Sequence, residues 1–254
     1  MERSPATGAP RTVAVIPARL ASTRLPRKPL LRETGKFLLE HVYESVARAR
    51  TLDAAIVATD SAEIAEAARG FGARVALTRA DHATGTDRVA EVVASMPSVE
   101  IAVNVEGDEP EVRPDDVDRL VDALRTSGAD VATLAAPCPD ERSGDASCVK
   151  VVVDLRGRAL YFSRAPIPNA RFAGVAPLQH VGLYAFRRES LEWFARTSPT
   201  PLERTEGLEQ LRLLEHGRSI AVATIERAPV GVDTPADYAR FVASFRTRTA
   251  PSRN

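Results

Sequence analysis

Short apolar runs alternate with helical stripes along the first half of the chain. Val13–Ile16, Ala54–Ala58, Arg74–Leu77 and Ile101–Val105 are compact and rich in small or branched residues, the pattern of strands buried on both faces. Between them, Phe37–Arg50 carries apolar residues at Leu38, Val42, Val46 and Ala49, the stripe of an amphipathic helix. Thr59-Asp60-Ser61 starts a second helix, through Ala68, and a third is expected over Val89–Ser95. Pro114–Arg125 then leads to a fifth strand at Asp130–Ala135. Strands that alternate with helices predict parallel pairing and right-handed crossovers.

The alternation then stops. Cys148–Asp154 and Ala159–Phe162 read as a hairpin around Leu155-Arg156-Gly157-Arg158, and Gln179–Phe186 as a further strand. These residues predict a smaller antiparallel insertion over about 136–187, covering the carboxyl edge of the main sheet. Leu202–Gly217 reads as one strong helix with Leu208, Leu211 and Leu214 inward; Glu203, Glu206 and Glu209 recur every three residues, a spacing that a merely solvated face would also give. A strand at Ile220–Ile225 and a helix at Pro235–Phe245 close the pattern. The expected organisation is one α/β domain over 12–246, with a Rossmann-like, mostly parallel sheet and disordered tails at 1–11 and 247–254.

Composition narrows the function classes. The 254 residues carry 34 basic and 34 acidic side chains, so nothing suggests a nucleic-acid or polybasic membrane partner. No apolar run approaches the length of a membrane span, and the first residues lack the apolar core of a secretory signal, so a cytoplasmic location is expected. Cys138 and Cys148 are not in a metal or redox spacing and read as buried or half-buried thiols. Only Lys28, Lys36 and Lys150 are lysines, which points to a GC-rich genome and draws attention to each of the three. Lys36, beside Gly35 in a turn, is the least suggestive.

The candidate chemistry gathers at strand ends. After Val13–Ile16 the chain runs through Arg19, Ser22, Thr23, Arg24, Arg27 and Lys28, stiffened by Pro26 and Pro29. Cations and hydroxyls at the carboxyl edge of such a sheet suit a polyphosphate, although a solvated basic loop has the same composition. Neither a G-x-G-x-x-G fingerprint nor a P-loop is present, so side chains must do more of the holding. Thr78–Arg88 (TRADHATGTDR) reads as a polar loop able to meet a base edge, or as a self-capping loop. Asp108, after Glu106-Gly107, projects from a strand end where a carboxylate can hold Mg²⁺ on a triphosphate. Asp233 serves either as a helix cap or as a second carboxylate on the same ion. Arg164, His180 and Tyr184 in the insertion are candidate contacts for an anionic acceptor.

Together, IPARLASTRLPRKPL, VATD, TRADHATGTDR, NVEGDEP, VKVVVD, YFSRAPIP, HVGLY, PLERTEGLEQLR and GVDTP resemble the CMP-Kdo synthetases, the 3-deoxy-manno-octulosonate cytidylyltransferases. The resemblance runs from about Val13 to Phe245. It implies a nucleotide-diphospho-sugar-transferase type fold and a homodimer formed through the insertion. It further implies CTP along Pro17, Ala18, Arg19, Ser22, Lys28 and Gly107, with cytosine near Arg79 and a Gly85-Thr86 turn. Mg²⁺ would sit on Asp108 and Asp233, and the acceptor against Glu106, Arg164, His180, Tyr184, Glu209 and Gln210. The implied reaction is in-line attack of an acceptor oxygen on the α-phosphorus, with Arg19, Lys28, Asp108 and Asp233 as the catalytic groups.

Two departures bear on the acceptor. Family members usually carry glutamine where this chain has Glu106, and an ionised glutamate would repel an anion. Ser163–Gln179 is shorter than the usual acceptor-side loop. With the GC-rich coding, as in actinomycetes whose envelopes have no expected need for Kdo, these features favour a small phosphonate such as phosphonoformate over Kdo. A CTP-binding regulator without turnover is the remaining alternative, and intact Lys28, Asp108 and Asp233 speak against it.

Overall fold

The computed structural model describes residues 9–21, 24–169, 171–172 and 174–249. Its nine strands form one sheet in the order β3-β2-β1-β4-β8-β5-β9, with β6 and β7 branching from β8. Strands β1 (Thr12–Pro17), β2 (Ala54–Thr59), β3 (Arg74–Leu77) and β4 (Ile101–Asn104) pair in parallel; β1, β2 and β4 are buried apolar runs, whereas β3, expected to be buried on both faces, is an edge strand with Arg74 and Leu77 exposed. Helices α1 (Leu38–Val46), α2 (Ala62–Gly70) and α3 (Gly85–Ala94) are the crossovers, and α4 (Pro114–Ser127) leads to β5 (Val131–Pro137). Pro17, which has no N–H for the ladder, is the last residue of β1.

The insertion differs from expectation in one respect that shapes the molecule. Its hairpin is present as β6 (Lys150–Val153) and β7 (Ala159–Ser163). Its last strand, β8 (Leu178–Arg187), is not a cover over the sheet edge. It lies inside the main sheet, antiparallel to both β4 and β5. Alternate burial along β8 lets one side chain in two reach each apolar layer. Helix α5 (Arg188–Arg196), carried by Leu191 and Phe194, follows at once and was not expected.

The region expected as one helix over 202–217 is two, α6 (Pro201–Glu206) and α7 (Leu211–Glu215), because Gly207 adopts φ 63°. Leu211 and Leu213 are the buried leucines of the second, and Leu214, expected inward, is only partly buried. Strand β9 (Ile220–Thr224) pairs parallel with β5, and α8 (Pro235–Thr249) closes the chain. The helical turn reaching Thr249 shortens the expected C-terminal tail, and Arg11 is anchored at the other end through its backbone N–H on Asp53 (2.8 Å). Residues 1–8 and 250–254, most of the two expected tails, lie outside the described residues. No helix among the described residues is long and apolar enough to cross a membrane.

Apolar side chains fill both faces of the sheet. One layer gathers α1, α2 and α4 around Ile16, Leu39, Val103 and Leu120; the other gathers α3, α5 and the α6–α7 turn around Val15, Val89, Phe162 and Leu211. Lys150 is fully buried between them and is satisfied by three carbonyls, those of Asp145, Cys148 and Arg164 at 3.0, 2.7 and 2.7 Å. Cys138 and Cys148 are free, buried thiols with their sulfurs 3.9 Å apart.

Candidate functional site

Parallel pairing puts the carboxyl ends of β1 and β4 side by side, and the loops leaving them frame a cavity of about 530 Å³. Pro17, Ala18, Arg19, Lys28, Gly85, Glu106, Gly107, Asp108 and Asp233 line it, joined by Ala21, Arg24, Pro29, His82, Thr84 and Arg88. Glycine at 107 is required: a Cβ there would stand 2.9 Å from the Pro17 carbonyl oxygen, so no other residue lets these loops approach as they do.

The centre of the cavity is a charged cluster built from distant segments. Lys28, on a 3-10 turn that begins after the left-handed Arg27 (φ 57°), places its Nζ 2.5 Å from Asp108 Oδ2 and 3.2 Å from Asp233 Oδ1. Arg24 reaches the same Asp233 oxygen at 3.0 Å. Asp108 and Asp233 thus converge on one cation, although 125 positions separate them in sequence. The two loops are also joined by a backbone hydrogen bond from Val232 N–H to the Asp108 carbonyl (2.9 Å). Asp233 is not the cap of α8; Thr234 and Asp237 cap each other, Thr234 Oγ1 donating to Asp237 at 2.7 Å.

Among the described residues no group of three or more His, Cys, Asp or Glu side chains could hold a metal ion alone. The convergent pair offers hard oxygen ligands with room for phosphate oxygens to complete a coordination shell, which is the donor set Mg²⁺ takes in nucleotide sites. The residues present therefore fit a shared Mg²⁺.

A second cavity, of about 220 Å³, opens beside the first and shares Glu106 with it. Thr86, Asn104, Gly182, Tyr184, Glu209 and Gln210 line it, above an apolar floor that includes Phe186 and Leu213. The break at Gly207 matters here, because it puts Glu209 and Gln210 on the turn between α6 and α7 instead of on a helical face. Thr86 Oγ1 donates to Glu209 Oε2 at 3.0 Å. Two buried polar atoms in this cavity have no partner in the structure, the acceptor Asn104 Oδ1 and the donor Gln210 Nε2. Leaving a buried polar group unmade costs about 1–3 kcal/mol, so both are poised for a polar ligand.

Burial dominates the electrostatics. It pushes the Glu106 carboxyl up to about 8, with Asp108 and Glu209 adding repulsion and Lys28 and Arg19 offsetting part of it. In its neutral form Glu106 carries an O–H donor and is no longer the acceptor-only anion expected at this position. Glu109 is driven well above the carboxylate range by burial and then by Asp108, and Glu209 is raised chiefly by burial.

Several expected contacts fall elsewhere. Gly85 and Thr86 are not a turn but the first residues of α3, capped by Thr84, whose hydroxyl accepts from Asp87 N–H at 3.1 Å. Arg79 lines neither cavity; it leans out to Asp81 at 3.3 Å. Thr86 lines the second cavity, not the first. Arg164 lines neither, because its guanidinium donates to the carbonyls of Glu206, Gly207 and Ala146 and fixes the end of α6. His180 faces Thr133 Oγ1 (2.9 Å) between Phe162 and Tyr184, and burial holds its imidazole down to about 3, so it is neutral. Glu203, Glu206 and Glu209 do not form a merely solvated face: Glu203 pairs with Arg212, Glu206 with Ser163, and Glu209 with Thr86. Ser22 lies outside the described residues. Asn104, Thr84 and Pro29 join the cavities without having been expected; a lone asparagine in an apolar strand was the available signal for the first.

The geometry has counterparts among known proteins. Residues 13–220 match the family model described as Cytidylyltransferase. The chain is 47% identical over 245 residues to the 3-deoxy-manno-octulosonate cytidylyltransferase of Syntrophotalea carbinolica, covering 92% of this chain and 98% of the relative. The protein of the same name from Myxococcus xanthus is 45% identical over 241 residues, with 94% and 98% covered. Among solved structures, a CMP:2-keto-3-deoxy-manno-octonic acid synthetase complexed with CTP superposes with TM-score 0.90 at 40% identity, covering 94% of this chain and 99% of that one. A 4-diphosphocytidyl-2C-methyl-D-erythritol synthase from Anaerococcus prevotii, at 15% identity and TM-score 0.63, shares the fold alone.

Proposed function

The chain belongs to the cytidylyltransferase family, and from that premise we propose that it joins CMP from CTP to Kdo, releasing pyrophosphate. The observation that carries this reading is the pair of adjoining cavities that meet at Glu106, one cationic and carboxylate-bearing, the other polar with unpartnered Asn104 and Gln210. The first suits a triphosphate and its metal, and the second a hydroxylated acceptor. The solved relative at 40% identity holds CTP, which supports the nucleotide assignment. The relatives at 40–47% identity described above are named for Kdo. A phosphonate acceptor, favoured on the strength of Glu106 and the short Ser163–Gln179 loop, finds no support among them.

In this reading Arg19 and Lys28 neutralise phosphate oxygens while Asp108 and Asp233 hold Mg²⁺. The ion, when bound, would offset charge on the triphosphate. Lys28, which joins the two aspartates in the ligand-free cluster, would turn towards the phosphates. The acceptor hydroxyl, held among Thr86, Tyr184, Glu209 and Gln210, forms a bond to the α-phosphorus and gives its proton to solvent water. The bond from that phosphorus to the bridging oxygen breaks, and pyrophosphate leaves. Positioning supplies most of the acceleration. The exposed Leu155, Leu160, Phe172 and Val175 of the insertion support a homodimer formed through this region.

The test is pyrophosphate release with CTP and Mg²⁺, offering Kdo and phosphonoformate in parallel. Release with Kdo alone is expected. Release with the phosphonate alone would overturn the acceptor assignment, and release with neither would leave CTP binding without turnover as the better account.

A further inference from the structure

Away from both cavities a third, of about 400 Å³, lies between α1, α8 and the loops that follow β4 and β9. Its volume is in the range of small-molecule sites. Most of its charged groups pair with one another. Lys36 reaches Glu44 at 2.6 Å, Arg113 grips Asp116 at 2.8 and 2.9 Å, and Arg248 meets Glu111 at 2.7 Å. Two guanidinium groups on the rim do not. Arg48 and Arg227 are exposed and make no ion pair among the described residues. The lining is also aromatic: His41 stands edge-on to Phe241 (5.1 Å) and Phe245 (4.8 Å), and Val112 adds apolar surface.

We propose that this cavity binds a small organic phosphate, its phosphoryl group held by Arg48 and Arg227 and its apolar part against the His41–Phe241–Phe245 wall. The planar fork of guanidinium presents paired donors that match phosphoryl oxygens, and two unpaired forks lining one cavity are the groups an anion entering it would meet. Inorganic phosphate would satisfy the cations but leave the aromatic wall bare. The site adjoins the reaction centre through the backbone. The Glu111–Pro114 rim follows directly on Asp108, the Arg227–Val230 rim leads into Asp233, and the Val232–Asp108 hydrogen bond ties the two. An occupant therefore rests on both segments that carry the aspartates.

The probe is phenyl phosphate, titrated calorimetrically in EDTA against inorganic phosphate, with three forms of the full chain. These are the unaltered protein, the surface double variant Arg48→Glu/Arg227→Glu, and Lys28→Met in the nucleotide cavity. The expected result is phenyl phosphate binding tighter than inorganic phosphate, weakened at least about tenfold by the double charge reversal and changed by less than about twofold by Lys28→Met. CTP binding to the double variant reports that it is folded. Equal binding to the unaltered and double-variant proteins would overturn the proposal. So would binding lost in Lys28→Met, which would place the probe in the nucleotide cavity, or no binding up to roughly 10 mM.

Discussion

Arg212 holds the turn that carries Glu209 and Gln210, and its removal makes a quantitative test. The side chain is 4% exposed and its partner Glu203 6%. Arg212 Nε donates to Glu203 Oε2 at 2.8 Å and a second nitrogen meets Oε1; Nη1 donates to the carbonyls of Phe194 (3.1 Å) and Thr197 (2.9 Å). The guanidinium also lies 4.1 Å over the Phe194 ring. Arg212→Met keeps much of the volume but strands a buried carboxylate and two carbonyls. Breaking a buried pair on one side costs about 3–5 kcal/mol, against about 0–1 for an exposed one. With a urea m-value of about 2–3 kcal/mol/M, the unfolding midpoint should fall by roughly 1–2.5 M. Added salt should change that loss little, since the pair is shielded from solvent. Below the transition, KM for the acceptor should rise while CTP affinity stays within about twofold, because only the α6–α7 turn loosens. A loss under about 1 kcal/mol, or one that vanishes in salt, would refute the claim that this pair clamps the acceptor side.

Asp108→Asn should lower kcat for pyrophosphate release by about 10²–10³ and raise the Mg²⁺ concentration needed for half-maximal rate; an unchanged Mg²⁺ dependence would remove Asp108 from the metal site. His180 is neutral when folded and takes a proton only near 3, whereas the unfolded chain takes it near 6.5. Stability is therefore lost as pH falls below about 6.5, by about 2 kcal/mol at pH 5. His180→Gln should be spared that part of the loss in urea titrations at pH 7.5 and 5; equal losses in both proteins would show that the imidazole is not held neutral. Leu155→Glu/Leu160→Glu should convert a dimer to a monomer in light scattering after size exclusion, and an unaltered protein that is already monomeric would dismiss the dimer.

The parallel half of the sheet was legible because strands buried on both faces must be continuous apolar runs, and β1, β2 and β4 are; β3 is a partly exposed edge strand that its short Val75-Ala76-Leu77 run still marked. The strand-end rule then led to Arg19, Lys28 and Asp108, and the family resemblance added Pro17 and Gly107; all five line the first cavity. The place of β8 was not legible. Alternation identifies a strand and its two faces, but its neighbours β4 and β5 are chosen by contacts far away in sequence. The break at Gly207 was partly legible, since a glycine inside a leucine pattern is a known helix terminator. Nothing local told that Arg164 would turn its donors to carbonyls, or that Glu106 would be buried deeply enough to favour its neutral form. Both outcomes depend on the α6–α7 turn coming to rest against the insertion and the strand ends.

The placing of β8 has a consequence for the order in which the chain can acquire its shape. Strands β1 to β4 occupy the first 104 residues and pair only with one another on one side. The open flank of β4 meets no partner until residues 178–187 have been synthesised, and β5 waits for the same strand. At translation rates of about 5–20 residues per second, the nascent chain carries an unpaired, apolar β4 for several seconds. That exposed edge is a template for intermolecular pairing, and the long closure needed to cover it is slow. The ribosome-bound intermediate, more than the finished enzyme, is where this topology is vulnerable to aggregation.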